Sequence, residues 1–186
     1  MRSSLATPSL DLTVTAIPSE SSITHIYATT DLADAFAITL PAGASSNPEQ
    51  LARFIFEQQP KWINALLKLR DALVAGFGIK TSSELAKVGA EGSETRVGIF
   101  KIYASTPREI VLGEDDSHLD FRLSVFCEPA LGTGERRLVL STVVRCHNRV
   151  GRAYIFTIEP FHKLVVRASL RRAARVGWPL ATTPVP

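Results

Sequence analysis

An α+β fold is predicted: a curved antiparallel sheet of about six strands gripping a long C-terminal helix, with two helices between the first strand and the rest. Three observations lead there. From Thr95 onward the apolar residues alternate with period two, in segments separated by short polar turns. Ahead of that run, residues 47 to about 75 place apolar residues every three or four positions. Behind it, a last segment returns to the helical period and stops at Gly177 and Pro179.

Taken in order, residues 1–22 are rich in Ser, Thr and Pro and read as a flexible tail, although "LDLTVTAI" (10–17) alternates well enough for an edge strand. One domain then spans 23–178, and 179–186 read as a second tail. "ITHIYATTDLADAFAITLP" (23–41) mixes turn residues with strand-like ends. Asn47 and Pro48 open the first helix as N-cap and first helical residue, with Leu51, Phe54 and Ile55 on one side. Pro60 starts a second helix to about 75, where Trp62, Leu66, Leu69 and Leu73 line up.

Five strands follow as a meander: "ETRVGIFKIYA", "REIVL", "HLDFRLSVFCE", "RRLVLSTVVRCH" and "RAYIFTIE". Pro160 opens the last helix, which runs to about Val176. Val166, Leu170, Ala173 and Ala174 form its apolar stripe, and Lys163, Arg167, Arg171 and Arg175 recur on the other side, with Arg172 beside them.

"LGEDDSHLDFRLSV" (112–125) is the stretch densest in titratable groups. With Gly113–Asp116 as the loop, Leu112 pairs with Ser117, Ile110 with Leu119 and Glu109 with Asp120. One face then holds Ile110, Leu112, Leu119, Phe121, Leu123 and Val125, the other Glu109, Val111, His118, Asp120, Arg122 and Ser124. Matching apolar faces on the next strand puts Arg145 near Asp120 and His147 near His118. A tight turn before "RAYIFTIE" adds Tyr154, Phe156 and Ile158 to the charged face. That face reads in three ways: a solvated surface with ion pairs, a cleft where His118 and Asp120 act as acid and base, or a buried, satisfied network.

The charge of +3 is too small to imply nucleic acid without a concentrated patch, and no apolar run approaches the roughly 20 residues of a membrane span. Met1–Pro8 lacks the apolar core of a secretory signal. Cys127 and Cys146 fall at opposite ends of a hairpin, more than about 20 Å apart at ~3.4 Å per residue. No disulfide is expected, which suits a reducing cytoplasm.

No nucleophile motif and no phosphate-cradling glycine loop occurs. "EDDSH" lacks the glycine and terminal glutamate of a calcium loop, and the cysteines are isolated, so no metal is expected. His162, in the first turn of the last helix, points partly toward the sheet, as a core-edge histidine or as part of a ligand site. The basic stripe reads as a solvated helix face or a hold on an anionic surface or partner.

"KWINALLKLRDALVAGFGIK" (61–80), "VGIFKIY", "GEDDSHLDFRLSV" and "NRVGRAYIFTIEPFHKLVV" (148–166) carry a resemblance. The chain resembles a bacterial domain-of-unknown-function family, number 2867, over roughly residues 25–178. The element order is similar to the START-like helix-grip superfamily (polyketide cyclase/SRPBCC). A curved sheet gripped by a helix leaves an apolar cavity, the resemblance implies a small hydrophobic or amphipathic ligand for it, and no cofactor is expected. Some of the family's relatives look like appendages to nicotinamide-binding, reductase-like domains.

The leading expectation is thus a binding module whose ligand touches Phe121, Leu123, Val125, Trp62, Val166, Leu170 and Arg122. One alternative is a cyclase- or isomerase-type enzyme using Asp120, His118 or His162 as acid or base. Another is an accessory domain docking onto a reductase-like partner, and a homodimer is also open.

Overall fold

A computed structural model describes residues 11–57, 96–129 and 136–181. The helix expected over 60–75, with Trp62, lies outside them. The described residues form an α+β structure: β1 (Leu12–Val14), β2 (Leu32–Leu40), α1 (Pro48–Phe56), β3 (Arg96–Val97), β4 (Phe100–Ser105), β5 (Glu109–Asp115), β6 (Leu119–Cys127), β7 (Arg136–Cys146) and α2 (Arg149–Val176). Seven strands make one antiparallel sheet in the order β1-β2-β7-β6-β5-β4-β3, so the first long strand pairs with the last. α1 begins as its sequence dictates. The Asn47 side chain accepts hydrogen bonds from the backbone N–H groups of Glu49 (2.9 Å) and Gln50 (3.1 Å), while Pro48 takes the first helical position.

The expected fifth meander strand, "RAYIFTIE", is instead helix. α2 starts at Arg149, not Pro160. Asn148 is extended (φ −151°, ψ 179°) and caps the helix by accepting from Gly151 N–H at 3.0 Å. Gly151, Ile155, Ile158, His162, Val166, Leu170 and Ala173 then fall on one side, a period the β-branched and aromatic residues of 152–159 mask. Their strand propensity is a weak preference that burial against a sheet overrides. Pro160 sits mid-helix and can give no hydrogen bond to the Phe156 carbonyl, but Phe156 is exposed and water can take that role. The helix is held close to the sheet at Gly151, where a Cβ would stand 2.3 Å from the His118 carbonyl oxygen. At Gly177, with φ at +98°, the backbone enters a region that favours glycine and the helix ends as expected.

The β5–β6 hairpin also differs from expectation. The strands run on to pair Asp115 with Asp120, the turn moves to Asp116–His118, and Ile110 faces Val125 rather than Leu119. β5 extends because its acids have partners: Glu114 pairs with Arg96, and Asp115 accepts from Arg122 and Tyr103. The partners shift by six residues, an even number, so every side chain keeps its assigned face. The β6–β7 register is the expected one, with Asp120 opposite Arg145 and His147 N–H donating to the His118 carbonyl.

The apolar face of the sheet is inner. Phe36, Ile38, Leu138, Leu140, Leu123, Val125, Ile110 and Leu112 pack with Val166, Leu170, Ala173 and Ala174 of α2, with Leu51 and Ile55 of α1 and with Trp178. The charged face is covered too, by residues 15–30. Ile17 packs on Ala35, Ala37, Phe126 and Val139, and Ile23 on Val111 and Val143. Of the three readings of that face, the buried network applies at Glu109 and Ser124, while Arg145 and His147 at the far end remain exposed. Tyr154 and Ile158 pack on the inner side instead, with Leu32, Leu119 and Val144. Cys127 and Cys146 are free and buried at opposite ends of their strands.

Candidate functional site

On the inner face of β2 a carboxylate interrupts the apolar surface. Asp34 lies between Leu32 and Phe36 on β2, opposite Thr142 of β7. It separates the main core from the smaller cluster of Leu32, Leu119, Val144, Cys146 and Ile155. His162 meets it from α2, with Nε2 3.3 Å from Asp34 Oδ1 and 3.2 Å from Oδ2. The Asp34 side chain is 8% exposed and that of His162 21%. The contact uses Nε2, so Nδ1 is left as the ring's other hydrogen-bonding atom. His162 lies fourteen residues into the helix rather than in its first turn, because α2 begins at Arg149.

The two ends of this face are packed differently. Around Val125, Leu140 and Leu170 the side chains are at most 1% exposed. Beyond Asp34, Phe121, Tyr154 and Ile158 are only partly buried. Phe121 stands edge-on to Phe100 at 5.9 Å, and Phe100 edge-on to Phe56 at 5.5 Å. Next to Phe121, Glu114 accepts from Arg96 Nη1 at 3.2 Å, in an ion pair with both side chains largely buried. A half-open aromatic row, Phe121–Phe100–Phe56, therefore passes beside the Glu114–Arg96 ion pair.

The outer face holds the remaining titratable groups. Glu109 accepts from the Ser21 and Ser124 hydroxyls at 2.5 and 2.6 Å, and from the N–H and hydroxyl of Ser22 at 3.0 and 2.7 Å. Burial works against its charge, but hydrogen bonds from Ser124, Ser21 and Ser22 outweigh that and hold the carboxyl below its usual range. Arg122 is buried, stacks 3.6 Å from the centre of the Tyr103 ring and donates to Asp115 at 2.7 Å. Burial is the main cause that pushes the Tyr27 phenol up to about 12.

The expected acid–base residues do not converge. His147 Nε2 contacts Asp120 at 2.9 Å on the outer side, and His118 lies against the Asn148 amide at the sheet's end. His162 contacts neither of them and meets Asp34 on the inner face. Leu123, Val125, Val166 and Leu170 come together, as parts of one closed core. Phe121 lies apart from these four in the looser cluster, Arg122 points to the opposite face, and Trp62 is outside the described residues.

Asp34, Glu114 and Arg96 are the groups sequence reasoning missed. The available signal was one acid inside an otherwise apolar strand, "LADAFAITL". Burial pushes both thiols up to about 11. Among the described residues no three His, Cys, Asp or Glu side chains could hold a metal together. No helix among them is long and apolar enough to cross a membrane. No curated protein and no solved structure matches the chain. A family model matches residues 26–169, most of the chain, which therefore belongs to the family described as protein of unknown function (DUF2867).

Proposed function

We propose that the chain is a helix-grip, START-like binding module for a small hydrophobic or amphipathic ligand. The ligand lies between the sheet and the N-terminal half of α2. The observation carrying this reading is the Asp34–His162 pair, sunk in the apolar face beside the partly buried Phe121, Tyr154 and Ile158. Polar anchors at the edge of an aromatic and aliphatic wall suit a molecule with one polar group and an apolar body. Pairing of β2 with β7 under a long C-terminal helix supports the helix-grip assignment.

Oleate and 1-anilinonaphthalene-8-sulfonate serve as probes. Saturable binding is expected, weakened about tenfold by the bulkier side chain of Ile158→Trp. Absence of saturable binding, or binding that Ile158→Trp leaves unchanged, overturns the proposal. A second reading, a cyclase- or isomerase-type enzyme, is favoured by the same pair: His162 would move the proton and Asp34 would orient the ring. His162→Gln would then abolish turnover of a bound substrate while leaving oleate affinity within about threefold.

A further inference from the structure

The side of α2 turned away from the sheet takes no part in the ligand site. Arg149, Phe156, Pro160, Leu164, Arg171 and Arg175 recur there at spacings of seven and four, one side of a helix, and all are exposed. Phe156 is 83% exposed, Leu164 54%, and Phe161 beside them 50%. The apolar centre is thus bracketed by arginines at both ends. The helix carries seven of the chain's 21 Lys and Arg residues but one of its 18 Asp and Glu, Glu159. Among the described residues, Arg149, Arg171 and Arg175 form no ion pair.

We propose that this side of α2 docks the protein flat on an anionic lipid surface. Phe156, Phe161 and Leu164 enter the headgroup boundary, and the flanking arginines meet lipid phosphates. The opposite side of the helix is fixed to the sheet, so the contact is peripheral and about 42 Å long at 1.5 Å per residue. Nucleic acid would satisfy the arginines but leave the phenylalanines in water. A second copy packed antiparallel about Pro160 would set Arg149 beside Arg171, like charge against like. A bilayer surface of negative charge suits both the apolar centre and the basic ends.

The test is co-sedimentation of the full chain with vesicles of phosphatidylcholine alone or mixed with phosphatidylglycerol. Binding is expected to the mixed vesicles and to weaken with added salt. It should fall about tenfold or more in the Phe156→Ser/Leu164→Ser double variant, and about fivefold for each of Arg171→Gln and Arg175→Gln. These side chains are exposed, and an unchanged circular-dichroism melt shows that the variants fold. No pelleting with the mixed vesicles, or equal pelleting with phosphatidylcholine alone, overturns the proposal. So does a dimer in size-exclusion chromatography that the double variant dissociates while vesicles stay unbound, since the occupant is then a second copy.

Discussion

The two faces of the sheet are both covered, by different physics. On the inner face α2 seals apolar side chains by non-directional burial. On the outer face a strap without regular structure, residues 15–30, is pinned at the Glu109 carboxylate, which accepts three hydrogen bonds from Ser21 and Ser22 of the strap and a fourth from Ser124 of β6. Such bonds are directional and charge-assisted, so a short irregular segment can be held without a continuous apolar stripe. A strand with one apolar and one charged face therefore need not have a wet side.

The largest effect is expected at Leu170. It is wholly buried, so Leu170→Ala should cost about 3 kcal/mol in urea unfolding with an unchanged m-value. On the outer face, Glu109→Ala should cost about 2 kcal/mol, since it leaves buried serines unpaired. Its signature differs from that of Leu170→Ala: hydrogen exchange should accelerate over 15–27 while β6 and β7 amides stay protected. Equal acceleration in all three would show that the strap is not held by this carboxylate.

Acid should sharpen the same contrast. The folded Glu109 carboxyl sits below its usual range, so its contribution is complete above the unfolded value of about 4.3 and is lost as pH falls through the lower folded one. Asp31 and Asp115 are lowered as well, so wild-type acid unfolding sums several groups. The stability gap between wild type and Glu109→Gln isolates one of them, and it should shrink as pH drops below about 4. The smallest effect belongs to the exposed side of α2, where Phe156→Ser should change stability by no more than about 0.5 kcal/mol.

Where alternation alone decides the outcome, the sequence was readable. The faces of β6 and β7 and the pairing of Asp120 with Arg145 follow from it, as does the Asn47–Pro48 start of α1. The start of α2 was not, because Tyr154, Ile155, Thr157 and Ile158 favour strands while their burial obeys a helical period. Pro160 reinforced the error, since proline more often starts a helix than sits inside one. The Asp34–His162 pair was invisible for another reason: its partners are 128 residues apart and meet only after β2 crosses to lie beside β7. Burial of Glu109 likewise depended on a serine-rich segment 88 residues upstream that resembles a tail.

The strap and the end of α2 bear on how the protein can be cut. A fragment trimmed to the matched residues 26–169 would lose Ser21 and Ile23 from one face and Leu170, Ala173 and Trp178 from the other. Both sides of the sheet would then present bare valine, leucine and phenylalanine, and the fragment should aggregate more readily in expression trials than the 186-residue chain. The outline shared with the family is smaller than the unit that keeps its own surfaces dry.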